Sequence, residues 1–366
     1  MSPSSTTQPP IPSTQRAAII QKFTHPLSIL STHPVPTPSS LLPNQCLVKM
    51  ECTGVCHSDL HARNGDWGRT PTLPRVGGHE GVGWVVAIGE GTVQGEEGDG
   101  VVQLGDRVGL KWLASTCLRC EFCRNGNESS CAKQKVHGYT VDGTFAEYVV
   151  AWVDYVTPIP DALDSRAATA MLCAGLTVYK GLKQSNARAG EWIAIPGAGG
   201  GLGHLAIQYA VMMGLRVLAI DTTPAKRSLA LSLGAEKWID FKESGENLVR
   251  DVIAATDGGP HVALVAAGAA LPYNQAPYYL RPTGTLVAVG LPAGAPFEVP
   301  FGVLVGRELK VIGSAIGNRQ DAIDALSHAA RGKVKCHYTT RKLEDVESVF
   351  AEMTEGKITG RIILDF

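Results

Sequence analysis

Cys117, Cys120, Cys123 and Cys131 fall in one short stretch, separated by two, two and seven residues. Four soft thiolates at that spacing suit a structural zinc, tetrahedral and closed to substrate, that staples a loop with no core of its own. An iron–sulfur cluster is the competing chemistry, but a ferredoxin-type run closes on a shorter final spacing and a Cys-Pro. Here Ala132 follows. A second set is dispersed. Cys56-His57-Ser58-Asp59-Leu60-His61 carries a soft ligand, a hydroxyl and two imidazoles, Gly78-His79-Glu80 sits at the mouth of a strand, and Cys173 lies far downstream. Brought together, Cys56, His79 and Cys173 would hold zinc with one position open to water or substrate. Their spacing alone does not bring them together. Each cysteine equally suits a small buried hydrophobe, and His79 a satisfied core imidazole.

The third motif is Gly197-Ala198-Gly199-Gly200-Gly201-Leu202-Gly203, which follows the apolar run Glu191–Pro196 and precedes a helix-spaced segment. Glycines there let the backbone turn sharply and approach a pyrophosphate, with the helix N-terminus facing the anion. In strict register the first glycine position falls on Ala198, so Gly197 is taken as that glycine in a loop one residue longer. Asp221 ends the next strand, 18 residues after Gly203. A carboxylate there accepts from a ribose hydroxyl and repels a 2′-phosphate. This predicts a dinucleotide site, with NAD preferred over NADP; Lys226, one helical turn on, could soften the repulsion.

These residues need elements to hold them. From Arg16 to about Val156 the chain reads as short strands with Gly/Pro punctuation, at Gln45–Cys52, Glu80–Ile88, Asp106–Trp112 and Phe145–Val150. Glu90–Gly100 reads as an exposed loop. From about Ala174 strands and helices alternate: strands at Glu191–Pro196, Arg216–Ile220, Val262–Ala266 and Thr285–Val289, helices at Leu202–Met213 and Ala225–Leu233. That alternation predicts an α/β fold with a parallel sheet covered on both faces. Helices at Gln320–Arg331 and Glu344–Glu355 and a strand at Arg361–Phe366 close the chain. Residues 1–15 carry no charge and read as a disordered tail. They show no secretory signal and only a faint transit-peptide cue.

Composition narrows the function class. The chain has 366 residues, 44% apolar and 18% charged, which excludes wholesale disorder. Lys+Arg is 33 against Asp+Glu 34, so the basic footprint of a dedicated nucleic-acid binder is missing. No apolar run approaches the length that spans a bilayer. Nine cysteines, four of them crowded, read as metal binding in a reducing compartment. The expected location is cytoplasmic, with mitochondrial import the weaker alternative.

The segments GVCHSDLHARNGDW (Gly54–Trp67), VGGHEGVG (Val76–Gly83), GDRVGLKWL (Gly105–Leu113), CLRCEFCRNGNESSC (Cys117–Cys131), LCAGLTVYKGLK (Leu172–Lys183), GAGGGLG and ATDGGPH (Ala255–His261) occur in this order. Together they resemble the zinc-dependent medium-chain alcohol dehydrogenases, the fungal branch above all, from about Arg16 onward. The resemblance implies a GroES-like β-rich catalytic domain, residues 16–173 completed by 313–366, around a doubly wound Rossmann domain, 174–312. It implies two zinc ions per chain: a catalytic one on Cys56, His79 and Cys173, and a structural one on the four clustered cysteines. Glu80 would be able to exchange onto the catalytic metal, and Asp59 would orient His79. Ser58 and His61 would form a proton relay. His57, Thr177, Leu202 and Arg361 would line the cofactor, with His57 and Arg361 near the pyrophosphate. Trp67, Trp112 and Leu291 would line the substrate pocket. The implied activity is reversible hydride transfer between a primary alcohol and NAD, in a homo-oligomer, with a tetramer favoured over a dimer. Ser58 stands where threonine is frequent in the fungal branch, and Leu291 where methionine is. Both positions bear on substrate identity. The alternatives are a reductase of a larger aldehyde metabolite, a zinc-free quinone reductase of the same fold, and a nucleotide-binding protein without catalysis. The last two would have lost ligand or relay residues, and none is lost.

Overall fold

The computed structural model describes residues 10–93, 102–294 and 296–366. Part of the expected loop at Glu90–Gly100 therefore lies outside the described residues. Among the described residues the strands form four sheets. The largest of the first half has seven strands, centred on Gln45–Val55. That strand pairs antiparallel with Gly81–Ile88 on one side. Arg361–Asp365 and Tyr148–Trp152 each pair antiparallel with different stretches of it. Arg361–Asp365 in turn pairs in parallel with Tyr338–Lys342. The C-terminus of the chain is thus hydrogen-bonded into the sheet built by its beginning.

The six-stranded sheet is all parallel. Its order is Lys237–Asp240, Arg216–Asp221, Trp192–Pro196, Val262–Val265, Thr285–Ala288, Lys310–Gly313. Strand order reverses between Trp192–Pro196 and Val262–Val265, which opens a crevice at their carboxyl ends. Both of these strands are buried at every residue. Burial on both faces is why they read as continuous apolar runs without alternation. Between the two sheets three helical stretches follow end to end: Ser165–Ala170, a widened π turn Met171–Gly175, and Leu176–Ser185.

The expected tail over 1–15 is corrected at its end. Residues 1–9 lie outside the described residues, but Thr14–Ile20 is a strand. Gln15 is buried, its amide donating to Pro34 O at 3.2 Å and accepting from Tyr148 N at 2.6 Å. A glutamine that closes two backbone gaps orders the chain earlier than its polar composition implies. The helix expected at Glu344–Glu355 begins instead as a 3-10 turn, Leu343–Asp345, leading into Val346–Thr354.

Candidate active site and metal centres

Cys56 caps the helix His57–Asn64, and Asp59 closes a capping box by accepting from Cys56 N at 2.9 Å. The other carboxylate oxygen of Asp59 lies 2.7 Å from His79 Nδ1. A single buried aspartate therefore fixes both the cap and the imidazole. It leaves His79 Nε2 as the ligand nitrogen, 3.2 Å from Cys173 Sγ. Cys173 arrives from the π turn, and its sulfur stands 3.9 Å from Cys56 Sγ. An i→i+5 turn carries one residue more than an α turn, a device found mostly at functional sites.

Ligand atoms of Cys56, His79, Glu80 and Cys173 all lie within 4.8 Å of one another. Two sulfurs on one tetrahedral zinc would stand about 3.8 Å apart, so the observed Cys56–Cys173 separation fits that ion. Glu80 is fully buried, with one oxygen paired to Arg361 and the other, Oε2, unpartnered. A buried orphan oxygen beside two thiols and an imidazole is a donor set for a cation. Burial raises the Glu80 carboxyl to about 7, with Arg361 opposing. Cys56 is held well below the usual thiol range by the Cys173 thiol beside it. Burial lowers His57.

The second cluster is local. Cys117, Cys120, Cys123 and Cys131 also bring their sulfurs within 4.8 Å of one another, with separations of 3.9, 3.4 and 3.6 Å for 117–123, 120–123 and 131–117. These too match a tetrahedral edge of about 3.8 Å. Backbone N–H groups of Arg119 and Cys120 lower the Cys117 thiol, the form a metal needs.

A cleft of about 400 Å³ opens beside the first cluster, at the switch point of the parallel sheet. Of the residues singled out from sequence, Cys56, His57, Ser58, His61, Trp67, Gly197, Gly200, Gly201, Leu202, Asp221, Lys226, Leu291 and Arg361 line it. Gly197 makes the turn, at φ 84°. A Cβ there would stand 2.9 Å from Ala267 N, and one at Gly203 2.1 Å from Gly197 O. Gly203 opens the helix Gly203–Met212. Asp221 accepts from Gly199 N at 2.9 Å and Thr222 N at 2.8 Å, with Lys226 Nζ at 3.5 Å.

Thr177, Trp112, Gly199 and Gly203 do not line the open cleft, and neither do His79 and Cys173. Thr177 is buried in the first turn of Leu176–Ser185. Trp112 stands edge-on to His79, with ring centroids 5.1 Å apart, and packs on Tyr139. It packs against the candidate ligand His79. Tyr139 was missed from sequence: its hydroxyl donates to Ser58 O at 2.8 Å and its ring lies against Trp67. Asp66 was missed too, although His61 and a downstream acid across Gly65 are visible in the sequence. His61 Nδ1 lies 2.7 Å from Asp66 Oδ1.

The family model described as "Alcohol dehydrogenase GroES-like domain" matches residues 42–161, and the one described as "Zinc-binding dehydrogenase" matches residues 201–331. The alcohol dehydrogenase of Schizosaccharomyces pombe is 43% identical over 356 residues, 97% of this chain and 99% of that protein. Alcohol dehydrogenase 1 of Emericella nidulans is 44% identical over 357 residues, with the same coverage. The crystal structure of the alcohol dehydrogenase from the hyperthermophilic archaeon Aeropyrum pernix superposes with a TM-score of 0.86 at 30% identity, covering 96% of this chain and 100% of that one.

Proposed function

The chain belongs to the zinc-dependent medium-chain alcohol dehydrogenase family and is an oxidoreductase, and from that premise we propose that it oxidises small primary alcohols reversibly with NAD, using two zinc ions per chain. The observation that carries this reading is the convergence of Cys56, His79 and Cys173, from three distant segments, beside a cleft on the switch point that Cys56 lines. A zinc held by Cys56, His79 and Cys173 would supply Lewis acidity toward the alcohol oxygen, and a nicotinamide cofactor in the cleft would supply the hydride acceptor. The protein's own residues do the rest. Ser58, 3.7 Å from Cys56 Sγ, takes the alcohol proton, and His61 receives it further along the cleft. Arg361 and His57 bind the pyrophosphate on the glycine turn, and Asp221 with Lys226 binds the ribose. Glu80, whose Oε2 is unpartnered, would be able to reach the metal. The four clustered cysteines hold the second zinc, which does no chemistry. Residues 16–173 with 313–366 act as the catalytic unit and 174–312 as the dinucleotide unit.

The sheet edge at Lys310–Gly313 supports a homo-oligomer, with a tetramer favoured. Among the described residues that strand pairs on one side only, and Phe301 and Val305 just before it are 82% and 74% exposed. All nine cysteines are free thiols, which supports a reducing, cytoplasmic setting. Among the described residues no helix is long and apolar enough to cross a membrane.

One observation favours a second reading. Leu291 lines the cleft and is 63% exposed, which leaves the rim open to a larger aldehyde. A panel of alcohols with elemental analysis separates the readings. We expect two zinc per chain and a higher kcat/KM for ethanol and propanol than for benzyl alcohol. Cys56→Ser removes turnover and keeps the fold, whereas Cys117→Ser mainly lowers stability. Benzyl alcohol ahead of ethanol would establish the larger substrate, and one zinc or none would overturn the two-metal reading.

A further inference from the structure

The helix His57–Asn64 ends at Gly65, whose φ of 67° turns the chain back, its N–H donating to His61 O at 2.8 Å. A Cβ at 65 would be strained at that φ and would stand 2.8 Å from the Phe23 ring. The turn sends the next two residues back to His61. Asp66 Oδ1 meets its Nδ1 at 2.7 Å, and Asn64 Nδ2 reaches Asp66 Oδ2 at 3.4 Å. The Trp67 ring stacks on the imidazole with centroids 4.6 Å apart and planes at 24°. One edge and one face of His61 are therefore held by consecutive residues of a single turn.

We propose that Asp66 is a positioning residue for proton transfer, acting through His61 by fixing which ring nitrogen carries the proton; this rests on the relay reading above. A carboxylate can only accept, so Nδ1 carries the hydrogen and Nε2 keeps its lone pair. Nε2 is then the nitrogen able to take a proton arriving from Ser58. That step makes one N–H bond at Nε2 and breaks one O–H bond at the donating hydroxyl. The resulting imidazolium is balanced by the Asp66 carboxylate, and it passes a proton to bulk water. The Asp66 side chain is 38% exposed, so the dyad stands at the solvent end of the cleft.

The test uses the full-length, zinc-replete enzyme. Asp66→Asn places an amide at Nδ1 that can donate, which favours the wrong tautomer at almost unchanged volume. We expect kcat for alcohol oxidation at pH 7 to fall about tenfold, with KM for NAD unchanged. Asp66→Glu restores part of the loss. Added imidazole buffer restores part of it too, as a purely structural lesion would not allow. In a His61→Gln background Asp66→Asn costs nothing further. Nitrogen-resolved NMR of His61 shows hydrogen on Nδ1 in the wild type and on Nε2 in Asp66→Asn. A slow His61→Gln beside an unimpaired Asp66→Asn, or an Nε2–H tautomer in the wild type, overturns this proposal alone. His61→Gln with wild-type kinetics overturns the relay itself.

Discussion

Asp221 does two jobs with one carboxylate. Its oxygens already accept two backbone N–H groups, which ties the glycine turn to the strand beside it. On the dinucleotide reading proposed above, the same charge would repel a 2′-phosphate. Asp221→Ser should therefore lower stability by about 1 kcal/mol, the value of a buried hydrogen bond. It should also move the ratio of kcat/KM for NAD over NADP toward NADP by about tenfold, worth ~1.4 kcal/mol, because Lys226 is left without its acid. Steady-state kinetics with both cofactors measure this, and an unchanged ratio would confine Asp221 to the turn. Lys111 is a different kind of residue, a buried amine donating to Tyr155 O and, at 3.0 Å, to Thr157 Oγ1. Burial lowers it from its ordinary 10.5 to about 7. Between those values the unfolded chain holds a proton that the folded chain has released, so this group makes stability rise with pH, by at most about 1.4 kcal/mol per pH unit. Urea midpoints of wild type and Lys111→Met at pH 7, 8 and 9 should show any advantage of the methionine shrinking as pH rises. A constant difference would mean that Lys111 does not titrate there.

At the scale of elements, the cysteine loop is latched to a helix far along the chain. Buried Glu128 pairs with Arg319 Nε at 2.9 Å, and Asn318, the cap of Arg319–Ala330, donates to Gly126 O at 3.0 Å. The helix in turn packs on the π turn that carries Cys173. The two partners of the ion pair are unequally buried, with Glu128 4% exposed and Arg319 43%. Arg319→Ala strands a buried carboxylate and should cost about 3 kcal/mol, whereas Glu128→Gln leaves an arginine free to reach water and should cost about 1 kcal/mol. Denaturant titration of both variants tests the asymmetry, and equal costs would refute it. The latch joins residues some 190 apart, and nothing local marks Glu128 as buried. By contrast the central parallel strands Trp192–Pro196, Arg216–Asp221, Val262–Val265 and Thr285–Ala288 were readable from their apolar runs, whereas the partly exposed edge strands Lys237–Asp240 and Lys310–Gly313 were not. Ser28–Pro34 and Tyr338–Lys342 were not readable as strands: their side chains are largely exposed and polar, and their pairing is what defines them.

For the whole molecule, the free edge of the parallel sheet is where assembly is expected. Phe301 and Val305 lie on the short helix Phe301–Gly306 next to that edge. If a second copy covers them, Phe301→Glu should place a charge in the interface and shift the enzyme toward monomer. Sedimentation velocity of wild type and variant at several concentrations reads this directly. A wild type that sediments as a monomer throughout would remove the oligomer proposal. The site and the assembly edge lie on the same sheet, since Leu291, 63% exposed, follows the strand Thr285–Ala288 that pairs with the edge.

The amino-acid sequence determined what is local. The four-cysteine loop is set by spacings of two, two and seven, the glycine turn by the strand and helix around it, and the central strands of the parallel sheet by their apolar runs. The motif resemblance added the ligand roles of Cys56, His79 and Cys173, which their spacing could not supply. Only the tertiary structure decided how those three meet. Asp59 had to cap one helix and hold His79 with its second oxygen, and a π turn had to place Cys173 beside Cys56. It also decided that Trp112 stands edge-on to His79, that Thr177 is buried in the first turn of its helix, and that Asp66 returns onto His61. The physical reason is range. Hydrophobic period and turn chemistry act over a few residues and leave a trace in the sequence. The direction in which a side chain points is set by packing against partners tens to hundreds of residues away.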